Sequence, residues 1–534
     1  MPTSQEAPAP QGINLGLYLA RSARHWPQRP AILFRDRAIS YAALDERANR
    51  LAQALRALGL RRGDRVAIVS PNRPEIVELE CAFYRLGLVK VALNARLAED
   101  ELRAALANAE PAACVAGPEG RRLVDAATAG LPGLRWRIAL DPVADAGPGW
   151  LDYEALLAAA PATPLLEPMQ PDELAVLHYT SGSTGALKAA MQTVGNRFAS
   201  LRKVVMGRMQ AGPGDVLMLC GPITHASGMF IQPMLFQGAT VLLMERFVPA
   251  EILAAIERHR VTMAFFVPAM IHALLAEPGL RRHDLSSLRL LSYGAAPMSA
   301  ARIREAWEAF GPVLAQGYGA GETTGGVLGL GIADHARAIA GERPELLEAC
   351  GRALGEADVQ VLDDDGRPVS GDAIGEICVR GPDVFAGYWR EPALTREAFD
   401  AAGWLRTGDL ARVDHEGYVF IVDRRKDMLV TGGFNVYPRE VEAVLARHPA
   451  VYEVCVVGVP DEHWGEAVKA VVVLREGARA DADELLRFCE GRLAGFKRPR
   501  SVDLVDQLPK NGNGKLSRKD VREPYWRGRS RRVN

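Results

Sequence analysis

From Ser40 onward, short apolar runs of strand length alternate with longer segments patterned at helical spacing, and this alternation constrains the fold most. SYAALDERANRLAQALRALG reads as a helix, RVAIVS as a strand, PEIVELECAFYRLG as a helix and LVKVAL as a strand. Strands separated by helices in this way argue for parallel βαβ units and an α/β core. The alternation returns over 214–296 in GDVLMLC, ATVLLM, the helix AEILAAIERH, VTMAFFV and LRLLSYG. After about Val361 the texture changes. VQVLDDDGRPV, GEICVRG and GYVFIVDRRKD are short β-rich segments between Gly-Asp turns, the pattern of a small antiparallel subdomain. From about 428 the order is helix (PREVEAVLARH), strand (VYEVCVVGV), strand (AVKAVVVL) and helix (ADELLRFCEGRLA), then a glycine-rich loop. That reads as a compact α+β unit of about a hundred residues. The predicted fold is α/β, with a large N-terminal domain of α/β subdomains plus a small β-rich subdomain over 1–425. A smaller α+β domain follows over 426–534, with DRRKD at 423–427 as the boundary.

Composition excludes several classes of function. Apolar residues are 48% and charged residues 24% of 534, an ordinary globular balance. Lys+Arg number 64 against 65 Asp+Glu, so a net charge of −1 gives no electrostatic case for nucleic acid as partner. The cysteines at 81, 114, 220, 350, 378, 455 and 489 are scattered without a C-x-x-C, so neither a disulfide framework nor a zinc cluster is expected. MPTSQEAPAPQG lacks the basic and apolar regions of a secretory signal. VTMAFFVPAMIHALLA is too short to span a bilayer and is broken by Pro268 and His272, so no integral membrane segment is expected. A cytoplasmic multidomain protein is the expectation, and a homodimer is left open. The basic tail RGRSRRVN reads as a solvated tail. Lysine is rare. Nine of the 64 basic residues are Lys, and five of those (Lys188, Lys426, Lys497, Lys510 and Lys515) fall inside the motifs below. Codon bias with random survivors is the plain reading of the excess of arginine. A surviving lysine also suits a place that needs a compact, flexible ammonium.

Four segments carry chemistry. Tyr179-Thr-Ser-Gly-Ser-Thr-Gly-Ala-Leu-Lys188 follows the apolar run LAVLH. Its glycines permit a tight turn, its hydroxyls and N–H groups suit phosphate oxygens, and Lys188 adds a point charge. The Walker A spacing is absent. Gln316-Gly-Tyr318-Gly-Ala-Gly-Glu322-Thr-Thr324 places small residues before an acid, so a ligand can approach the backbone and the carboxylate can hold Mg²⁺. Third are Gly403-Trp-Leu-Arg-Thr-Gly-Asp409, Asp423-Arg424-Arg-Lys426-Asp427 and Gly432-Gly433. Fourth is Leu508-Pro-Lys510-Asn-Gly-Asn-Gly-Lys515-Leu-Ser-Arg518, a lysine on a loop that another domain can deliver. Taken singly, each is equally well a plain glycine-rich turn or a solvated run of charge.

Taken together and in this order, YTSGSTGALK, YGAGETT, GWLRTGDLARVDHEGYVFIVDRRKDMLVTGGFNVYPREVE and LPKNGNGKLSR resemble the ANL superfamily of adenylate-forming enzymes. The resemblance runs from SYAALDERANRLAQAL to the final lysine loop and points to the acyl-CoA synthetase branch. It implies that Thr180, Ser181, Gly182, Ser183, Thr184, Gly185 and Lys188 form the loop over the ATP phosphates. Gly294, Ala295, Ala296 and Pro297 resemble the adenine-side turn. Tyr318, within Gln316-Gly317-Tyr318-Gly319, would stack on the base, and Thr323 belongs to the nucleotide site. Glu322 would hold Mg²⁺. Asp409 would accept hydrogen bonds from the ribose hydroxyls, with Arg424 against the same sugar. Lys426 takes the hinge position of a mobile C-terminal domain, Gly432 and Gly433 would face the coenzyme A channel, and Lys515 would be the adenylation lysine. The implied catalytic set is Lys515, Glu322 and Lys188. The implied substrates are ATP, a carboxylic acid and coenzyme A, with Mg²⁺.

Two departures stand out. The family usually has Thr before the glutamate, where this chain has Gly321. A lost charge-assisted hydrogen bond there is worth about 1.5–3 kcal/mol, unless water or Thr323 substitutes for it. The phosphate loop also closes with Lys188-Ala-Ala in place of Lys-Gly. Gly221-Pro-Ile-Thr-His225-Ala-Ser-Gly228 resembles the acyl-pocket segment, in which amino-acid-activating members carry Asp near the place of His225. An amino acid substrate is therefore not expected. His225 reads as a pocket residue or a packed core histidine. Gly228, Ala320 and Gly321 would border the acyl group, and small residues such as Ala295, Ala296, Gly325 and Gly326 leave room for a fatty, alicyclic or aromatic acid. The chain ends soon after Lys515, so no fused carrier domain is expected and free coenzyme A is favoured. The alternatives are transfer to a separate carrier protein or an amine, and a non-catalytic nucleotide-binding homologue.

Overall fold

The computed structural model describes residues 12–142, 149–181, 187–431, 434–461, 464–510 and 516–527. Among them the N-terminal part builds two large sheets. In the first, Leu151–Asp152, Trp136–Ala139, Ala113–Ala116, Arg65–Val69, Val89–Ala92 and Leu174–Ser181 run parallel in that spatial order, and Leu187–Thr193 closes one edge antiparallel. In the second, Leu314–Ala320, Leu290–Gly294, Met263–Phe266, Val216–Leu219, Thr240–Leu243 and Pro30–Phe34 form a parallel centre with antiparallel strands at both edges. The hairpin Pro30–Ser40 thus joins the second sheet, although the chain builds the first sheet directly after it.

One core cluster contains side chains of both sheets and of the helices Tyr41–Ala57 and Pro74–Leu86. The second helix, PEIVELECAFYRL, is buried at every position. Its charges must then be paired, because an isolated buried ion is strongly disfavoured. Glu75 meets Arg73, Glu78 meets Arg47 and the Tyr153 hydroxyl, Arg85 meets Asp45 and Asn49, and Glu80 meets Lys90.

An antiparallel sheet of Asp358–Leu362, Gly375–Arg380, Leu405–Val413 and Val419–Arg424 follows. The last sheet takes Phe434–Val436, Leu429–Thr431, Gly465–Leu474 and Val451–Asp461, with Ser501–Leu504 parallel to Gly465–Leu474. The sheet changes between Arg424 and Leu429, at the DRRKD segment. The α/β class with a large N-terminal and a smaller C-terminal unit is as the sequence suggests. Two details differ from it. Gln316–Ala320 belongs to a strand, because neighbouring backbone on both sides supplies hydrogen bonds, where a glycine-rich turn was the simpler reading. The small domain also gains the strand Ser501–Leu504 and the helix Arg518–Trp526.

Candidate active site

The first two motif segments lie at the carboxyl ends of the parallel strands Leu174–Ser181 and Leu314–Ala320, where open α/β sheets bind ligands. The strand Leu174–Ser181 leads into the segment expected to hold phosphate, and Leu187–Thr193 leads out of it. Thr180 and Lys188 face each other across that hairpin. Residues 182–186 lie outside the described residues, so Gly182, Ser183, Thr184 and Gly185 receive no placement, and the Ser181 side chain is not described.

Lys188 Nζ stands 5.5 Å from the centroid of the Tyr388 ring, and Tyr388 donates its hydroxyl proton to Glu322 Oε1 at 2.8 Å. The Phe385 N–H donates to the Glu322 carbonyl at 2.9 Å. Three distant segments therefore fix one cation and one carboxylate side by side. Tyr388, which the sequence reading did not single out, links them. A lone carboxylate with one oxygen unbonded among the described residues suits Mg²⁺, which takes one or two protein carboxylates and completes its shell with water and phosphate oxygens. Among the described residues no cluster of three His, Cys, Asp or Glu could cage a metal.

The hairpin of Leu314–Ala320 and Gly325–Leu330 forms the second wall. Close backbone approach dictates its glycines. A Cβ on Gly319 would fall 2.0 Å from the Gly325 carbonyl oxygen, and one on Gly294 would fall 2.2 Å from that of Gly317. Gly317 pairs with Gly294, so Gln316, Gly317 and Tyr318 lie beside the Gly294-Ala295-Ala296-Pro297 turn, in which Ala295 is left-handed at φ 66°. Tyr318 donates its hydroxyl proton to Asp409 Oδ2 at 2.6 Å, and Arg424 Nε donates to Oδ1 at 3.1 Å. Burial first, and Asp409 second, push the Tyr318 phenol far above its ordinary range, so it is a fixed donor. Asp409 keeps lone pairs for further donors such as sugar hydroxyls.

Gly321 and Thr323 do not match the sequence expectation. The Thr323 hydroxyl accepts from the Ala320 N–H at 2.9 Å and donates to the Gly325 carbonyl at 2.8 Å, holding the hairpin turn together. It is buried and cannot stand in for a missing phosphate contact. A Cβ on Gly321 would lie 2.7 Å from His178 Cδ2 and 3.1 Å from Thr180 Cγ2. The place of the usual threonine side chain is thus occupied by the His178 ring, which the sequence reading counted only as the end of an apolar run. His178 stands edge-on to His225, with ring centroids 5.3 Å apart, and Thr224 Oγ1 is 2.9 Å from His225 Nδ1. The backbone at Gly321 is anchored by Gln192, whose amide donates to the Gly321 carbonyl at 2.9 Å. Gly228 serves the 3₁₀ turn Ala226–Phe230, since a Cβ there would meet the Ile223 carbonyl at 1.9 Å.

Asp423, next to last in the strand Val419–Arg424, accepts from the Arg439 N–H at 2.9 Å, at the N-terminus of the helix Pro438–Leu445. Lys426 has its ammonium held below the usual lysine range by desolvation and by the cations Arg424 and Lys188. It therefore lies within electrostatic reach of the phosphate hairpin. Gly432, Gly433 and Lys515 lie outside the described residues. The flanks of the lysine loop are described. Lys510 and Leu516 form a β-bridge, and Arg518 pairs with Glu442 and Asp427.

The chain is similar in sequence and fold to proteins of known activity. The model of the AMP-binding enzyme family matches residues 19–389, and that of the AMP-binding enzyme C-terminal domain matches 440–515. A feruloyl-CoA synthase of Amycolatopsis sp is 40% identical over 513 residues, covering 96% of this chain and 99% of its own. The medium/long-chain-fatty-acid–CoA ligase FadD8 of Mycobacterium tuberculosis is 37% identical over 530 residues, covering 97% and 91%. Among solved structures, the amide bond synthetase McbA of Marinactinospora thermotolerans superposes with a TM-score of 0.86 at 33% identity, covering 96% and 100%. With both domain models matched and identity of this extent over nearly the whole length, the chain belongs to the AMP-binding enzyme family, in the CoA-ligase branch of the ANL superfamily of adenylate-forming enzymes.

Proposed function

We propose that this ATP-dependent acid–thiol ligase activates a fatty, alicyclic or aromatic carboxylic acid and passes it to free coenzyme A, using the residues assembled above. The observation that carries the reading is the convergence of Lys188, Tyr388 and Glu322 with Tyr318, Asp409 and Arg424 at one set of strand ends. The substrate is ionised at neutral pH, so no general base is needed. The step requires charge neutralisation and in-line placement of one anion against another. A carboxylate oxygen bonds to the α-phosphorus of ATP, the bond to the β-phosphate oxygen breaks, and pyrophosphate leaves. The thiol of coenzyme A then attacks the acyl carbonyl and AMP departs.

In this reading Lys188 and the loop 180–185 hold the phosphates, Gly294–Pro297 and Tyr318 border the base, and Asp409 with Arg424 binds the ribose. Glu322, positioned by Tyr388, would hold Mg²⁺, which supplies positive charge to the phosphate oxygens. Lys515 is carried in by the domain 426–534 for the first step and withdrawn for the second by rotation about Lys426, which brings Gly432 and Gly433 to the thiol channel. Ala320, Gly321, His178 and His225 border the acyl group. The two CoA-ligase relatives support the acid class, one being named for an aryl acid and one for fatty acids. The likeness to an amide bond synthetase keeps an amine acceptor as the second reading. No helix among the described residues is long and apolar enough to cross a membrane. We place the enzyme in the cytoplasm, and a homodimer enters no step of the reading.

The test is AMP release with ATP, Mg²⁺ and coenzyme A across acids from acetate through benzoate and cyclohexanecarboxylate to palmitate. A coenzyme A-dependent signal that Lys515→Ala abolishes is the expected result. Pyrophosphate without coenzyme A-dependent discharge would favour the amine or carrier acceptor, and ATP binding without any turnover would sink the ligase.

A further inference from the structure

One short segment holds Glu322 at two points. The Phe385 N–H donates to its carbonyl at 2.9 Å, and the Tyr388 hydroxyl donates to its Oε1 at 2.8 Å. The same segment is tied to the strand Leu187–Thr193, which carries Lys188. The Ala386 N–H donates to the Met191 carbonyl, the Met191 N–H to the Gly387 carbonyl and the Trp389 N–H to the Ala189 carbonyl, each at 2.9 Å. The helix Val194–Lys203 follows that strand directly and reaches the segment from a third side. In its first turn the Asn196 amide donates to the carbonyls of Pro382 and Val384, each at 2.8 Å. At its last residue Lys203 meets the Asp383 carboxylate at 3.3 Å. Asn196 and Lys203 stand two turns apart on one face, separated by about 10 Å along the axis. That face therefore takes hold of Asp383 by its side chain and by the main chain on both sides of it.

Lys203 and Asp383 are both buried. Burial raises the Asp383 carboxyl above its usual range, and Lys203 offsets only part of that rise. Such a pair is poor evidence for stability, because desolvation of two ions consumes the attraction between them and an apolar pair of similar volume often serves as well. What it adds here is register. The other bonds of the segment use backbone groups, which nearly every residue carries, so a slipped segment could form them again. A carboxylate on one residue and its counter-ion at one place on the helix admit a single alignment, since any slip leaves two buried ions unmatched.

We propose that Lys203 and Asp383 are a positioning pair, which sets the register of the segment 383–388 and through it the place of the Glu322 carboxylate that receives Mg²⁺. Neither residue touches substrate. The pair also couples the strand of Lys188 to the turn of Glu322, so the cation and the carboxylate are set by one helix. The inference rests on the reading of Glu322 as the metal-holding carboxylate.

The experiment is a calorimetric titration of ATP into the enzyme with and without Mg²⁺, beside the free Mg²⁺ concentration for half-maximal AMP release. The wild type is expected to bind ATP at least tenfold more tightly with Mg²⁺ than without. Lys203→Met with Asp383→Leu removes both charges together. It is expected to keep the Mg²⁺-free affinity within twofold of the wild type and to unfold at the same temperature or above it. The advantage given by Mg²⁺ is expected to fall by about tenfold, and the half-maximal Mg²⁺ to rise to match, as a small misplacement of a distant support can produce. Should the double variant fail to fold, Asp383→Asn keeps the shape and lets the buried lysine shed its proton, and it is expected to shift the Mg²⁺ dependence in the same direction. An undiminished Mg²⁺ advantage in the variant would overturn the positioning pair and leave the ligase standing. Equal loss of ATP affinity with and without Mg²⁺ would also overturn it, by showing a support of the fold at large. A wild type whose ATP affinity ignores Mg²⁺ would overturn the metal reading of Glu322 and the pair with it, while AMP release from the acid panel would still uphold the ligase.

Discussion

At the scale of single residues, Gly321 shows how a motif departure takes its meaning from a neighbour outside the motif. The chain lacks the family's threonine, and from sequence that reads as a lost hydroxyl open to restoration. The His178 ring instead stands where the side chain would go, 2.7 Å from a Cβ at 321. Gly321→Thr is therefore expected to slow acyl-CoA formation. Overpacking of this kind costs about 1–3 kcal/mol, or roughly tenfold to a hundredfold in rate if it falls on the transition state. Adding His178→Ala to Gly321→Thr removes the collision and is expected to recover part of the loss in a steady-state assay. A faster single variant would refute the steric account. Tyr388 supports a second expectation. Tyr388→Phe keeps the ring beside Lys188 and deletes only the donor to Glu322. A hydrogen bond to a charged group is worth about 1.5–3 kcal/mol, so the Mg²⁺ concentration for half-maximal activity is expected to rise about tenfold, with the phosphate hairpin undisturbed. An unchanged Mg²⁺ titration would detach Tyr388 from the carboxylate proposed to hold the metal.

At the scale of elements, the end of one strand caps the start of one helix across the domain boundary. Asp423 accepts the N–H groups of Arg424 at 2.7 Å and Arg439 at 2.9 Å, placing a carboxylate at the N-terminus of the helix Pro438–Leu445, where the backbone favours negative charge. Burial nevertheless outweighs these donors and pushes the carboxyl up to about 6. Below about pH 4 folded and unfolded chains both carry it protonated. Between about pH 4 and 6 only the unfolded chain ionises it, so the group's contribution to stability falls as pH rises, by about 3 kcal/mol at 1.36 kcal/mol per unit. Above pH 6 it changes no further. Thermal unfolding of the wild type and of Asp423→Asn should therefore differ most in slope between pH 4 and 6 and run parallel above, whatever their offset. Parallel curves throughout would remove Asp423 from the linkage. The strands and helices of the large domain are legible in sequence because a buried βαβ unit must be apolar at fixed periods. The partition into two sheets is not, because Pro30–Ser40 pairs with strands some two hundred residues away, a long-range choice that no local pattern encodes. The site divides in the same way. Lys188, Glu322, Tyr318, Asp409 and Arg424 announce themselves through motif spacing. Tyr388 and His178 do not, because their chemistry arises only from what distant segments bring against them.

At the scale of the whole molecule, the proposed reaction needs two arrangements of the C-terminal domain, and the contacts across the boundary are compatible with that. Arg447 and Glu348 face each other across it at 3.8 Å with both side chains well exposed, a pair whose net worth is small and whose replacement is tolerable. The chemistry of the thiols makes this pair useful. All seven native cysteines are buried and free, and burial holds those at 81, 114, 220, 350, 378 and 455 up to about 12. The thiolate is the reactive form, so a maleimide applied at neutral pH meets almost no native background. Glu348→Cys with Arg447→Cys, joined by a bis-maleimide long enough to span two former side chains, should therefore hold the domains in one arrangement. One half-reaction at most can proceed in a locked enzyme, so multiple-turnover acyl-CoA synthesis is expected to fall at least tenfold, while each single-cysteine variant treated with the same reagent keeps its rate. Separate measurement of pyrophosphate release, and of thioester formation from preformed acyl-adenylate, would then report which half-reaction the described arrangement serves. Full turnover by a quantitatively cross-linked protein would show that Lys515 need not leave for the thiol to enter, and would remove Lys426 from the role of hinge.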